Sequence, residues 1–198
     1  MLTFKNNDID GRDTKYAIGL DLDGTSGAFH KSFRDVLITH QGFDHRHVPV
    51  RTPAIYSYVE SGVFDDMDVF LKALFAATGQ GVYRTMEPYK GFRKHLTNLV
   101  ENGAYVKVIT SRPDDALDDT LTWLNDVARV PYHEVFITDE KTKVAADVYI
   151  DDKPGHILNF QEVGSNAIIY DQPYNRDVDA PRATAWSQIP ALVNDALR

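Results

Sequence analysis

A parallel α/β sheet carrying a helical insertion is the architecture expected from this chain, and three observations point to it. Short apolar runs recur along the sequence and end in polar residues or glycine. Amphipathic helical patterns separate most of these runs. One long stretch between the first and second runs holds helical patterns and no convincing strand.

Residues 1–14 are polar and read as a weakly held arm. Tyr16–Leu20 is the first strand, running into Asp21-Leu22-Asp23-Gly24-Thr25, where the glycine marks a turn. From Ser26 to about Met86 the rhythm changes. Phe29, Phe33, Val36 and Leu37 give one amphipathic face, and Val69, Phe70, Leu74 and Phe75 give another. This insertion is either extra packing or a cap over the strand ends. The cap is preferred, because loops at that edge of an open α/β sheet commonly carry binding residues. The chain then divides into a core of residues 15–25 and 87–198 and a cap of residues 26–86.

Beyond the cap, Phe92, Leu96, Leu99 and Val100 mark a helix that stops at Gly103. Tyr105–Ile109 is the second strand and runs into Thr110-Ser111-Arg112-Pro113. Leu117, Leu121 and Leu124 mark the next helix, with Asp114 as its cap. Glu134–Ile137 runs into Thr138-Asp139, and Asp147–Ile150 into Asp151-Asp152-Lys153-Pro154-Gly155. Ala167–Tyr170 completes the set of strands.

At 198 residues, 43% of them hydrophobic, the chain suits one domain with a small inserted subdomain. Its formal net charge of -8, from 29 acidic and 21 basic side chains, argues against extended nucleic acid as a partner. The absence of cysteine excludes disulfides, thiolate zinc sites and cysteine nucleophiles, and fits a reducing compartment. No apolar run approaches the roughly 18 residues of a membrane span. Residues 1–14 lack the plan of a signal peptide. A soluble cytoplasmic protein with no membrane partner is expected.

Ligands bind outside the carboxyl ends of strands in such sheets. The polar residues placed there are Asp21, Asp23, Thr110, Ser111, Asp151 and Asp152, with Lys141 in a loop. Clustered carboxylates repel one another unless a hard divalent cation such as Mg²⁺ joins them. The hydroxyls and the ammonium then suit a phosphate, which the Gly24 turn also lets backbone N–H groups approach. Asp21 is placed to attack phosphorus, and Asp23 to protonate the leaving oxygen and then activate water. Singly, Thr110 reads equally as a cap, Lys141 as a solvated lysine and Asp151-Asp152 as a turn. Their order at successive strand ends joins them into one phosphomonoesterase reading.

These residues resemble the four motifs of the haloacid dehalogenase-like hydrolase superfamily: Asp21-Leu22-Asp23-Gly24-Thr25, Thr110-Ser111, Lys141 and Asp151-Asp152. The resemblance runs from Ile18 to about Trp186. It implies a Rossmann-like three-layer core whose five-stranded parallel sheet has the order 5-4-1-2-3, with a small helical cap after the first strand. It also implies Mg²⁺ held by the Asp21 and Asp151 side chains and the Asp23 carbonyl, with Asp152 in support. Retention of Asp23 resembles the phosphatase branch.

Within the superfamily the chain is most similar to the 5'(3')-deoxyribonucleotidase group. The matching residues are Ile109-Thr110-Ser111, Lys141-Thr142, Ala146-Asp147 and Ile150-Asp151-Asp152. Phe29 sits where that group places an aromatic against the nucleobase, and Tyr174-Asn175-Arg176 and Trp186 resemble its tail. The resemblance implies a mononucleotide substrate and allows a homodimer. Arg112 and Asp139 depart from the mammalian members, which carry a proline and a basic residue there, and both are expected to line the substrate pocket.

Lys143 competes with Lys141, which spacing favours. His40, His45 and His47 are read as surface or packing residues, Phe29 and Phe64 as the aromatics that meet a base, and Arg176 and Arg182 as surface ion-pair formers. The competing functions are a phosphatase for another small phosphoester or a nucleic-acid 3'-phosphate, and a non-catalytic phosphate-binding module.

Overall fold

A seven-stranded mixed sheet forms the centre of the computed structural model, which describes residues 1–9, 11 and 13–198. The first half of the chain supplies β1 (Leu2–Lys5), β2 (Tyr16–Leu20), α1 (Phe29–His40), α2 (Met67–Gly79), α3 (Phe92–Glu101) and β3 (Ala104–Thr110). The second half supplies α4 (Leu117–Thr122), β4 (Glu134–Ile137), β5 (Val148–Asp151), α5 (Pro154–Glu162), β6 (Asn166–Tyr170), β7 (Arg182–Ala183) and α6 (Ile189–Ala196). The sheet order is β1-β4-β3-β2-β5-β6-β7.

The central strands are apolar because both faces of the sheet are covered. Ile18 pairs with Val106 and Val148, and Leu20 with Val108 and Ile150, all of them fully buried. Trp123 and Trp186 extend this core on the helical side.

A five-stranded, all-parallel sheet is corrected by two further strands. β1 pairs antiparallel with β4, from Leu2 opposite Ile137 to Lys5 opposite Glu134. β7 adds two residues parallel to β6. Both are short and lie at sheet edges, so neither shows the continuous apolar run of a strand buried on both faces. Residues 1–14 are therefore not simply a weakly held arm. Beyond β1, Asn6 N–H donates to the His133 carbonyl at 2.8 Å; positions 10 and 12 of the arm lie outside the described residues.

Residues of the insertion gather in a second apolar cluster, in which Phe33, Leu37, Val48, Phe64, Ala77 and Val82 are buried and which Ala116 joins from outside the insertion. Its second helix presents half of the expected face: Phe70 and Leu74 pack against this cluster, but the other two residues do not. Val69 and Phe75 are 39% and 72% exposed, whereas Ala73 and Ala77 are buried. Small side chains let α2 approach its neighbours closely, and size-weighted pattern reading misses such a face. Asp66 caps this helix by accepting from Val69 N–H at 2.8 Å.

Asp114 does not act as a helix cap. It opens a 3-10 turn over Asp114–Ala116 and makes no capping bond. After α4 the chain widens into a π-helical turn, Trp123–Ala128, which buries Trp123 and Leu124. Among the described residues no helix is long and apolar enough to cross a membrane.

Candidate active site

Three adjacent strands deliver the site. Asp21 follows β2 directly, Thr110 ends β3 and Asp151 ends β5, so their side chains meet at one sheet edge. The chain then reverses tightly: Ser26 N–H donates to the Leu22 carbonyl at 2.8 Å, and Ser26 Oγ–H to the Asp21 carbonyl at 2.7 Å. Gly24 makes this turn with φ +90°, and a Cβ there would lie 2.5 Å from Asp152 Oδ2 and 2.9 Å from the Tyr174 hydroxyl. Gly24→Ala is thus expected to cost about 1–3 kcal/mol of stability through backbone strain. Turnover should fall with it, measurable by thermal melting alongside steady-state hydrolysis.

Asp21, Asp151 and Asp152 are buried and can each place one carboxylate oxygen within 4.8 Å of the others. Lys141, also buried, donates to Asp21 Oδ1 at 2.5 Å and to Asp151 Oδ2 at 2.7 Å. His156 Nδ1 meets Asp151 Oδ2 at 3.0 Å, and Lys153 N–H donates to Asp151 Oδ1 at 2.9 Å. Asp152 accepts from Thr25 Oγ–H at 2.7 Å and from the Tyr174 hydroxyl. Asn175 Nδ2 holds the Asp152 carbonyl at 2.7 Å.

These surroundings push the acids apart. Burial raises the Asp21 carboxyl above the usual range against the pull of Lys141, with Asp151 and Asp23 adding to the rise. Burial also raises Asp152 well above that range, helped by Asp21 and Asp151. Burial would raise Asp151 too, but Lys141 and His156 outweigh it and hold this carboxyl below the usual range. The Lys141 ammonium would be lowered by burial; Asp151 and Asp21 outweigh that and raise it. One ammonium therefore faces three buried carboxyls. An all-oxygen donor set with surplus negative charge fits a hard divalent cation. Among the described residues, no histidine belongs to a comparable cluster.

Arg112 borders the cavity, as expected, and its guanidinium turns onto Asp23, donating from Nε to Oδ2 at 2.9 Å and from Nη2 to Oδ1 at 2.6 Å. Lys143 is exposed and pairs with Glu140 at 2.6 Å, so the lysine that meets the acids is Lys141.

Above the acids lies a cavity of about 470 Å³. Asp21, Asp23, Gly24, Thr110, Ser111, Asp139 and Asp152 line its floor and rim, and Phe29, Tyr58, Phe70 and Tyr83 line it from the insertion. Phe29 stacks on Phe33 and Tyr83 at 5.6 and 5.7 Å. Phe64 is not in this wall. It is buried inside the cap cluster against Phe33 and Phe43, so it is a packing residue.

Pattern reading missed the contacts of Thr25, His156 and Gln172, whose Nε2 donates to the Gly24 carbonyl at 2.6 Å. Tyr174 carried a signal only as part of the tail. Arg182 does more than form a surface pair. It joins Asp171, the Asn175 side chain and the Asn175 and Val178 carbonyls at 2.7 to 2.9 Å, holding the loop that brings Tyr174 to Asp152.

Residues 15–197 match the family model described as 5' nucleotidase, deoxy (pyrimidine), cytosolic type C protein. A protein of Chlorobaculum tepidum named "Putative 5'(3')-deoxyribonucleotidase" is 28% identical over 182 residues, covering 89% of each chain. The fold is similar to a haloacid dehalogenase-like family hydrolase from Streptococcus pneumoniae, with TM-score 0.64, 12% identity, and coverage of 90% of this chain and 98% of that one. It is also similar to a haloacid dehalogenase-superfamily hydrolase of subfamily IA from Geobacter sulfurreducens, with TM-score 0.57, 14% identity, and coverage of 93% and 99%.

Proposed function

The chain belongs to the 5' nucleotidase, deoxy (pyrimidine), cytosolic type C family of phosphoric monoester hydrolases, and on that premise we propose that it is a cytoplasmic, Mg²⁺-dependent nucleoside monophosphate phosphatase working through an aspartyl-phosphate. The observation that carries this reading is the buried Asp21–Lys141–Asp151 chain of ion pairs at adjacent strand ends, beneath a cavity that several aromatic side chains help to line. Asp21, Asp151 and the Asp23 carbonyl would hold the metal with Asp152 behind them. When bound, Mg²⁺ neutralises charge on the phosphate oxygens.

The chain's own groups then act in two steps. Lys141 fixes Asp21 through Oδ1, and the carboxylate attacks phosphorus as the bond to the leaving oxygen breaks. Asp23 gives its proton to that oxygen. Next, Asp23 takes a proton from water, the water oxygen bonds to phosphorus, and the Asp21–phosphorus bond breaks to release inorganic phosphate. Thr110 and Ser111 hydroxyls line the floor, where they can donate to phosphate oxygens.

Phe29, with Tyr58 and Tyr83 nearby, supplies a wall on which a base can stack. Asp139 adds a negative rim charge, which disfavours a second phosphate. The test is a panel of 5'- and 3'-mononucleotides, deoxy and ribo, with nucleoside diphosphates and sugar phosphates beside them. Mononucleotides should be hydrolysed fastest, and a chelator should abolish turnover until Mg²⁺ is restored. Preference for sugar phosphates would overturn the substrate assignment, and undiminished activity in chelator the metal.

A further inference from the structure

The Arg112 side chain is wholly buried, and although the residue borders the cavity its guanidinium donates to protein partners. Its side chain is 0% exposed, while the Asp23 side chain that it grips is 21% exposed and faces the cavity. Both Asp23 oxygens are held, by Nε and Nη2. The remaining arm is fixed in turn: Nη1 donates to Thr120 Oγ at 3.0 Å, and that hydroxyl donates to the Ala116 carbonyl at 2.8 Å. The guanidinium lies 4.5 Å from the Tyr83 ring centre. A lone aspartate side chain is free to move among rotamers. A two-point fork from a rigid, planar donor fixes both its place and its plane. Few arginines are buried unless a specific partner needs them, and here the partner is the one carboxylate that lies two residues past Asp21.

We propose that Arg112 is a positioning residue that holds the Asp23 carboxyl in line with the leaving oxygen, and so governs leaving-group protonation without contacting substrate. This rests on the reading of Asp23 as the general acid. Proton transfer loses efficiency quickly when the donor drifts out of hydrogen-bond reach. An Asp23 free of its fork could leave that position for another rotamer.

Two substrates separate this role from a structural one. A nucleoside 5'-monophosphate expels an alkoxide that needs a proton; p-nitrophenyl phosphate expels a stabilised phenolate that does not. In both cases kcat/KM reports events up to leaving-group departure. The ratio of the two kcat/KM values cancels the concentration of active enzyme, so partial misfolding does not move it. Arg112→Met is expected to lower the nucleotide-to-aryl ratio by about 100-fold, the scale of a lost general acid. Arg112→Lys keeps the buried charge but not the fork, and should give an intermediate ratio; it carries the same decision if the Met variant does not fold.

In an Asp23→Ala background, Arg112→Met should leave the ratio where Asp23→Ala put it, because the arginine acts only through that carboxyl. A wild-type ratio in the Arg112 variants, with a lowered ratio in Asp23→Ala, would overturn the positioning role alone. An unchanged ratio in Asp23→Ala would overturn the general-acid reading and this proposal with it.

Discussion

Turnover by an Asp21→Asn variant is expected to fall by about 10⁴-fold or more, on nucleotide and aryl phosphate alike. An activated leaving group can dispense with the proton of Asp23 in the first step, but no substrate can dispense with the nucleophile. The amide keeps the size of the carboxylate but cannot bond to phosphorus as one. The fold should survive. Asp21 sits among Asp151 and Asp152, and burial, with the charges of Asp151 and Asp23, already disfavours its ionised form. A neutral isostere removes that repulsion, and Lys141 keeps its bond to Asp151 at 2.7 Å. The melting temperature should therefore hold or rise while activity disappears, which separates a chemical loss from unfolding. Wild-type-like hydrolysis by Asp21→Asn would sink the covalent mechanism. So would the absence of a phosphorylated wild-type enzyme on rapid acid quench.

The parts of this molecule legible in the sequence are those where one physical constraint acts alone. β2, β3 and β5 are covered on both faces, so their apolar runs stand out, and the first polar residue after each is obliged to lie at the sheet edge. That is why Asp21, Thr110 and Asp151 could be named together. β1 and β7 are short edge strands whose pairing depends on a neighbour already in place, and their residues show no run. The α2 face is legible at Phe70 and Leu74, which pack inward, but not at Ala73 and Ala77, which pack by being small while pattern reading favours the exposed Val69 and Phe75.

The Asp23–Arg112 pair spans 89 positions, and the Tyr174–Asp152 contact 22. No local spacing encodes either. In both, acid and partner each carry a signal of their own, but nothing in the sequence joins them. Sequence position says which carboxylates reach the site, whereas the groups that fix and tune them arrive from separate loops through tertiary packing.

Replacing Lys141 should be costly in a second way, because the lysine supports the fold as well as the chemistry. Lys141→Met keeps the length and burial of the side chain and deletes the ammonium, leaving Asp21 and Asp151 without their shared partner. Breaking a buried pair on one side costs about 3–5 kcal/mol. At about 2–4 °C per kcal/mol for a chain of this size, the metal-free variant should melt roughly 6–20 °C lower.

The pH dependence has a definite sign. In the wild type Lys141 holds the Asp151 carboxyl below its unfolded value. That contribution to stability is present above the unfolded carboxyl pKa, about 4, and is lost as pH falls through the lower folded value. The variant lacks it at neutral pH, so the two melting curves should converge in acid. Mg²⁺ should stabilise the variant more than the wild type, since its acid cluster carries one less compensating charge. Activity should drop about 10²–10³-fold even with the metal present, because the cation beside the nucleophile is gone. Lys143→Met, which removes only an exposed pair with Glu140, should change neither property appreciably. A larger loss at Lys143 than at Lys141 would move the third motif to the wrong lysine and reopen the assignment of the whole site.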